Sequence, residues 1–370
     1  MHDELAGLGW DPGWAAAFLP YDAAGWRPAR VAAAHRDAWV LAHPGPLPHS
    51  DAVVSGRLRH EALGPGDLPA VGDFVAVSHW NDPSSPTVIQ AVLPRRSAFR
   101  RSAGEERNAG RLASEQVLAA NVDVAFVVAG MDGDFNLRRL ERYLAVAWSG
   151  GATPVILLNK ADLASDADGL RVAAEAVAPG VEVRTISALE GDGVDALREA
   201  YLTAGRTAVV LGSSGVGKST LVNALVGEER QRTAAVREDD SRGRHTTTHR
   251  ELVRLPGGAL LIDTPGIRSL GVAGASDGIE EAFSDIADLA AGCRFRDCRH
   301  AGEPGCAVDA ALAAGTLSAD RLASHRKLER EAAHVARQSD PLARAEERRK
   351  WKAITSSVAV HMKHKYGSDR

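Results

Sequence analysis

The sequence has few cysteines, few aromatic residues and no long apolar run. Three cysteines among 370 residues are too few for a disulfide-rich secreted scaffold. No apolar run approaches the roughly 18 residues that a membrane-spanning helix requires. Residues 1–5 are acidic and lack the basic start of a secretory signal peptide. We therefore expect a cytoplasmic protein with no membrane partner.

Length and charge indicate several globular domains with an uneven charge distribution. A chain of 370 residues, 45% of them apolar, is long enough for two or three domains. The net charge is −4, yet residues 321–370 alone carry +7. A basic C-terminal segment favours an anionic partner such as nucleic acid, although a solvated helical face explains the charge equally well.

Residues 212–219 match the phosphate-loop pattern G-x-x-x-x-G-K-[ST] at every fixed position. An apolar run before them predicts a strand, and residues 220–226 have helical spacing. In such a loop the backbone N–H groups surround a phosphate. We predict that Lys218 reaches the β- and γ-phosphates as a catalytic group and that Ser219 binds Mg²⁺. The predicted nucleotide-binding residues of this stretch are Gly212, Ser213, Ser214, Gly215, Val216, Gly217, Lys218, Ser219 and Thr220.

Two further motifs follow apolar strands and indicate guanine recognition. Asn159, Lys160 and Asp162 form an N-K-x-D motif, and Ser187 and Ala188 resemble the second base-contacting loop of GTPases. The Asp162 carboxylate can accept hydrogen bonds from N1–H and the 2-amino group of guanine. Adenine offers neither donor, so it would leave a carboxylate unpaired. A helix cap after a strand would look similar, but the phosphate loop downstream favours the guanine interpretation.

The stretch after the phosphate loop contains the predicted switch residues. Asp263 ends a predicted strand and begins a D-x-x-G motif, in which we expect Asp263 to bind Mg²⁺ through water and the Gly266 N–H to lie near the γ-phosphate. One threonine of residues 246–248, with Thr246 and Thr247 as the candidates, is expected to complete the Mg²⁺ shell.

Hydrolysis is predicted to be slow in the isolated protein. Ras-like enzymes have a water-orienting glutamine after D-x-x-G, whereas this chain has Ile267. His245, beside the switch threonines, is our candidate for the missing catalytic group. The alternative is a histidine that packs or contacts a partner.

The order of these motifs is unusual. Conventional GTPases have the phosphate loop first and N-K-x-D near the end, whereas here N-K-x-D and S-A-L precede the phosphate loop. From residue 116 strands and helices alternate, which predicts a doubly wound, mostly parallel sheet. The pattern resembles a circularly permuted P-loop GTPase domain, which is physically possible because the same loops meet in space whatever the chain order.

The N-terminal part predicts a small β-barrel. Residues 1–26 are interpreted as an irregular lead, and the short strands between residues 27 and 105 favour an OB-like barrel. Such barrels bind oligonucleotides or proteins, so RNA binding is one of two open interpretations. The arginines of residues 95–101 suit phosphate contacts or a solvated linker.

All three cysteines cluster near the C-terminal end. Cys293, Cys298, His300 and Cys306 provide three thiolates and one imidazole, the closed tetrahedral set that structural Zn²⁺ prefers. The alternative is three unligated buried cysteines. Residues from 308 onward predict helices, so we expect a C-terminal zinc-binding helical domain.

Residues 293–308, the stretch 243–248 and the permuted order closely resemble the RsgA (YjeQ) family. The resemblance implies GTPases that assist late maturation of the small ribosomal subunit. It also implies stimulation by that subunit, rRNA contacts from the barrel and the zinc domain, and a hydrolytic role for His245. We therefore expect a multidomain α/β monomer that binds GTP/GDP, the small (30S) ribosomal subunit and its rRNA. Its expected parts are a lead (1–26), a barrel (27–105), a permuted GTPase domain (106–272) and a zinc knuckle with helices (273–370).

Two other functions remain open at this stage. The protein could act on another ribosomal particle, or it could be a nucleic-acid-binding GTP switch with negligible turnover. Lys218, Ser219 and Asp263 favour turnover, whereas Ile267 favours the switch.

Overall fold

The chain forms an N-terminal barrel, a central α/β sheet and a C-terminal helical region. The computed structural model describes residues 3–35, 37–43, 49–80, 85–102, 115–227, 250–263 and 276–339. Among the helices that it describes, none combines the length and apolar character needed to cross a bilayer.

The barrel is a closed sheet of five strands in the order β1-β2-β3-β5-β4, in which β4 pairs back to β1. Strands β3 and β5 are parallel, and the other neighbours are antiparallel. This confirms the predicted OB-like barrel. The strands are β1 (Arg27–Ala34), β2 (Trp39–Ala42), β3 (His49–Val54), β4 (Phe74–Ser78) and β5 (Thr87–Val92), and helix α1 (Pro12–Asp22) precedes them while α2 (Gly56–Glu61) follows β3.

A buried ion pair closes one end of the barrel. The Arg95 guanidinium donates to both carboxylate oxygens of Asp73, at 2.8 and 2.7 Å. Asp73 is fully buried and Arg95 nearly so. Burial raises the pKa of Asp73, while Arg95 acts in the opposite direction. Arg95 is therefore a structural residue, and it is not available for the phosphate contacts that the sequence suggested.

Removing the Asp73 carboxylate is expected to destabilise the barrel strongly. Asp73→Ala leaves the Arg95 guanidinium buried without its counter-charge, which costs about 3–5 kcal/mol. The matched control is Asp37→Ala, because Asp37 forms an exposed ion pair with Arg59, and such pairs contribute about 0–1 kcal/mol. Urea unfolding measures both changes, and equal losses would contradict the assignment.

The N-terminal lead is ordered, so the prediction of an irregular segment was wrong. Residues Asp3–Leu8 form a 3₁₀ helix, and α1 begins at Pro12 after Asp11, whose side chain accepts from the Trp14 N–H. Proline at the first helical position after an aspartate cap is a start signal. Arg96 pairs with Asp11 and lies over the Trp14 ring, 4.3 Å from its centroid. The lead is thus fastened to the segment that follows the barrel.

Within the part of the chain that the structure describes, the central sheet has six strands in the order β10-β9-β8-β11-β13-β12, parallel except for β12. This order confirms the doubly wound, mostly parallel sheet. The strands are β8 (Val124–Gly130), β9 (Thr153–Asn159), β10 (Glu182–Thr185), β11 (Thr207–Gly212), β12 (Glu251–Arg254) and β13 (Leu260–Asp263), with helices α3 (Leu137–Ser149), α4 (Ala167–Ala176), α5 (Val194–Tyr201) and α6 (Lys218–Val226). A separate antiparallel pair, β6 (Ala98–Ser102) and β7 (Glu115–Ala120), precedes them.

The barrel and the central sheet join edge to edge. Strand β1 pairs with β12 at Ala33 and Glu251. The buried Arg30 guanidinium donates to the carbonyls of Leu8, Gly72 and Asn121, at 2.6, 3.1 and 3.1 Å. Burial lowers the pKa of Arg30 to about 10. Because its three acceptors lie in the lead, the barrel and the start of the α/β region, Arg30 fixes these parts together.

The C-terminal helices pack on the central domain through a second buried arginine. Arg321 donates to Glu141 of α3 and to Asp285, at 2.9 and 2.6 Å. Both Arg321 and Glu141 are buried. The helices are α7 (Ser276–Ala282), α8 (Ser284–Ala291), α9 (Ala307–Ala314) and α10 (Ala319–Ser339). Residues 342–358, for which a helix was predicted, lie outside the described residues. So do most residues of two stretches that the sequence predicts to be polar connections, 103–115 and 227–244.

Candidate functional site

The phosphate loop has the backbone geometry that its glycines permit. Gly215 and Gly217 have φ values of +83° and +92°, a region that favours glycine. A Cβ atom on Gly217 would lie 2.2 Å from the Asn159 amide nitrogen. The Lys218 ammonium donates to the Ser213 carbonyl. Strand β11 ends at Gly212 and α6 begins at Lys218, so the loop joins a strand to a helix N-terminus as predicted.

Asn159 connects three loops of the candidate site. Its amide nitrogen donates to the Val216 carbonyl at 2.9 Å. Its amide oxygen accepts from the Ala188 N–H, also at 2.9 Å. The side chain is buried, with 2% exposure. The N-K-x-D loop, the S-A-L loop and the phosphate loop are therefore held together by one amide.

Asp162 and Ser187 form the next contact along these loops. The Ser187 hydroxyl donates to Asp162 Oδ1 at 2.6 Å. Ser187 is buried, whereas Asp162 is exposed. The neighbouring Leu189 is 74% exposed, which is unusual for a leucine beside a buried loop. The structure thus brings the two motifs that the sequence predicts for base recognition to one edge of the sheet.

An ion pair between Lys160 and Asp132 was not expected from the sequence. Lys160 has φ +68°, and its ammonium lies 2.5 Å from Asp132 Oδ2. Burial raises the pKa of Asp132, but hydrogen bonds from Lys160 and the Asp134 N–H outweigh it and hold that pKa below its ordinary value. The available signal was position, since Asp132 lies two residues after the end of the parallel strand β8, at the edge where ligands bind.

The structure describes two of the predicted magnesium-binding residues. Ser219 lies in the first turn of α6, and Asp263 ends β13. Because β11 and β13 are parallel neighbours, Asp263 lies at the same sheet edge as the phosphate loop. The predicted switch residues His245, Thr246, Thr247 and Gly266, together with Thr248 and Ile267, lie outside the described residues.

The four predicted metal ligands do come together. One ligand atom from each of Cys293, Cys298, His300 and Cys306 lies within 4.8 Å of the others. The sulfurs of Cys293 and Cys306 are 4.0 Å apart. His300 Nδ1 lies 3.5 Å from Cys293 Sγ and 3.4 Å from Cys306 Sγ. The four side chains could therefore hold a metal ion.

The electrostatics of this cluster suit a cation. Burial raises the pKa of Cys293, but the N–H groups of Ala307 and Val308 outweigh it and lower that pKa. The His300 N–H lowers the pKa of Cys298, yet burial and the two neighbouring sulfurs raise it to about 11. Three sulfurs at this distance cannot all carry charge without a positive ion between them.

These features together define the class of the protein. The phosphate loop follows the central strand β11, and the base-specificity loops follow β9 and β10, which precede β11 in the chain. This sheet order and this chain order are those of a circularly permuted P-loop GTPase domain.

Comparison with known proteins identifies the family. The sequence model of the RsgA GTPase family matches residues 92–273. A protein of Opitutus terrae, named small ribosomal subunit biogenesis GTPase RsgA, is 49% identical over 359 residues, which span 95% of each chain. A protein of the same name from Streptomyces coelicolor is 44% identical and covers 100% of this chain and 98% of its own. The chain belongs to the RsgA GTPase family, so the predicted family, and with it the GTPase class, is confirmed.

Solved structures agree with this fold. The crystal structure of YjeQ from Thermotoga maritima has a TM-score of 0.61 and 26% identity, and covers 83% of this chain and 99% of its own. The structure of YloQ, a circularly permuted GTPase, has a TM-score of 0.58 and 22% identity over 85% of this chain and 96% of its own. The second likeness concerns the fold alone.

Proposed function

We propose that this GTPase binds the small ribosomal subunit and assists its late maturation, hydrolysing GTP to GDP and phosphate with turnover that the subunit stimulates. The observation that supports the chemistry most directly is the Asn159 amide, which joins the phosphate loop to both base-specificity loops. The names of the relatives support the choice of partner.

The guanine base is proposed to bind at the loops after β9 and β10. Asp162 accepts hydrogen bonds from N1–H and the 2-amino group, and the Ser187 hydroxyl fixes the orientation of that carboxylate. The Ala188 N–H already donates to Asn159, which holds the S-A-L loop beside the base. Lys160 covers one face of the base with its aliphatic stem.

The phosphates are proposed to bind across the N-terminus of α6. The backbone N–H groups of residues 213–219 surround them, and Lys218 exchanges its contact with the Ser213 carbonyl for the β- and γ-phosphates. Ser219, Asp263 and a threonine of residues 246–248 suit the Mg²⁺ shell, because they offer hydroxyl and carboxylate oxygens. Mg²⁺ would neutralise charge that develops on the phosphate oxygens. Gly266 is proposed to donate its N–H to the γ-phosphate.

His245 is proposed to be the residue that completes hydrolysis. Ile267 has no polar group with which to orient water, so another group must supply this function. A partner that positions His245 would explain stimulated turnover.

Replacing His245 tests this role. We expect His245→Ala to lower subunit-stimulated turnover by about 100-fold while GTP affinity stays unchanged, because the residue acts on water rather than on the base. Single-turnover hydrolysis with small subunits and GTP titration measure the two quantities. The neighbouring Arg244→Ala serves as a control, and unchanged stimulated turnover in His245→Ala would exclude the catalytic role.

The metal in the Cys₃His cluster is proposed to be one structural Zn²⁺. In a tetrahedral zinc site the sulfurs lie about 3.8 Å apart and sulfur and nitrogen about 3.6 Å apart. The measured separations of 4.0 Å and 3.4–3.5 Å match this arrangement. Four protein ligands leave no open coordination position, so the proposed role is structural.

The proposed ribosomal partner also implies which parts of the protein contact RNA. We propose that the barrel and the knuckle contact rRNA, since Arg294 lies over the ring of the half-exposed Phe295, and Arg296 and Arg299 are close to it in the sequence. The proposed parts are the lead (1–26), the barrel (27–105), the GTPase domain (106–272) and the knuckle with its helices (273–370). We also propose that the protein is a monomer and that it binds the subunit in the cytoplasm.

The decisive experiment measures GTP turnover by the purified protein alone, with small subunits and with large subunits, using ATP as the control nucleotide. We expect slow turnover alone, a many-fold increase with small subunits only, and none with ATP. Equal stimulation by both subunits would contradict the choice of partner. No stimulation would instead support a GTP switch without turnover.

A further inference from the structure

The loop after β8 contacts the N-K-x-D loop directly. Gly130, the last residue of β8, pairs with Asn159, the last residue of β9. The Met131 N–H donates to the Asn159 carbonyl at 2.7 Å. Asp132 and Lys160 come next in the two segments, and their charged groups meet at 2.5 Å. Adjacent parallel strands therefore place this ion pair at the nucleotide-binding edge of the sheet.

Further contacts fix the orientation of the Asp132 carboxylate. The Asp134 N–H donates to Asp132 Oδ1 at 3.0 Å, which leaves Oδ2 to face Lys160. A Cβ atom on Gly130 would lie 3.0 Å from Asp132 Oδ1, so the aspartate turns back over a residue without a side chain. The side chains of Lys160 and Asp132 are 27% and 29% exposed, which limits the water available to either charge.

Holding the Lys160 ammonium in place affects ligand binding because a lysine side chain is flexible. A free lysine side chain samples many rotamers, and this freedom is lost when its stem must lie flat against a ligand. An ion pair at the end of the stem causes part of that loss before the ligand arrives. Preorganisation of this kind increases affinity without adding a contact to the ligand.

We propose that Asp132 is a positioning residue for guanine recognition, which holds the Lys160 stem along the face of the base. This inference rests on the proposed function, because it assumes that guanine binds beside Asp162. Asp132 itself does not contact the nucleotide. The base and its contacts are the same in GTP and GDP, so the effect of Asp132 is equal for both nucleotides.

Asp132→Asn tests the proposal, since it removes the charge with little change in size. We expect the Kd values for GTP and GDP to rise by the same factor, about tenfold. Because a base contact stabilises the ground state and the transition state equally, KM rises with Kd while kcat in the presence of small subunits is unchanged. The matched control is Asp134→Asn in the same loop, since the Asp134 side chain pairs with Arg139 rather than with Lys160.

A double-mutant cycle separates positioning from a structural effect. If Asp132 acts through Lys160, Asp132→Asn weakens nucleotide binding in the wild-type background but not in Lys160→Met. Equal losses in both backgrounds, or an unchanged Kd for Asp132→Asn, would overturn the inference. Binding of GTP by the wild-type protein tests the proposed function independently, so failure of one can be distinguished from failure of the other.

Discussion

Asp162→Asn is expected to change the base specificity of this GTPase from guanine to xanthine. GTP and GDP affinity should fall by roughly 10³-fold or more, because a site built around a hydrogen-bonding base discriminates by factors of about 10⁴–10⁵. Xanthosine triphosphate should bind to the variant far better than to the wild-type protein. Titration of each protein with the guanine and xanthine nucleotides measures both changes.

The physical reason is the exchange of one acceptor for one donor. The carboxylate accepts from both N1–H and the 2-amino group of guanine, whereas an asparagine amide would turn its NH₂ group toward one of these donors. Xanthine has a carbonyl oxygen in place of the 2-amino group, so the same NH₂ group finds an acceptor. The Ser187 hydroxyl, 2.6 Å from Asp162 Oδ1, can still donate to the amide oxygen and keep the side chain in place.

A control distinguishes specificity from loss of folding. Asp168→Asn changes an exposed aspartate six residues along the chain, in the first turn of α4, and should leave both affinities unchanged. If Asp162→Asn lost GTP binding without gaining xanthosine triphosphate, the carboxylate would not be the group that reads the base. Guanine recognition would then have to be assigned to other residues.

The loops of the candidate nucleotide site were predictable because they are short motifs that directly follow strands. The phosphate loop and the N-K-x-D and S-A-L loops each depend on local backbone geometry, which local sequence determines. Asp132 was missed for the opposite reason. Its ion pair with Lys160 depends on two strands that are neighbours in space, and the residue stands alone, without a motif around it.

In the barrel, too, features that depend on local sequence were predictable and features that depend on long-range contacts were not. The short strands between residues 27 and 105 were predicted from β-favouring residues between turn residues. Strand β1 carries little of this signal, because four of its eight residues are alanine, which favours helices. Arg95 had the appearance of an RNA contact but pairs with Asp73, 22 residues earlier in the chain. Tertiary contacts of this range decide whether an arginine is structural, and sequence patterns do not reveal them.

Disruption of the Cys₃His cluster is expected to have the second large effect. We expect chelation of the metal, or Cys298→Ser, to unfold residues 293–306 while GTP affinity stays unchanged. Metal binding contributes about 10–16 kcal/mol to the folding of isolated zinc fingers. We expect the knuckle to be comparably dependent, since none of the residues between 293 and 305 is buried. Helix α9 should fray as well, because Cys306 is its N-cap and accepts from the Asp309 N–H.

Three measurements test this prediction: hydrogen exchange over residues 293–314, GTP titration and subunit-stimulated turnover. The control is Asp297→Ser, which places serine at the exposed neighbour of Cys298 and should change none of the three. GTP binding is expected to survive because its loops follow β9, β10 and β11, and because Arg321 fastens α10 to α3 without the knuckle. Stimulation by the small subunit should be lost, since the unfolded knuckle no longer presents its basic surface. If Cys298→Ser abolished GTP binding as well, the knuckle would be part of the folding unit of the GTPase domain rather than a separate contact for the subunit.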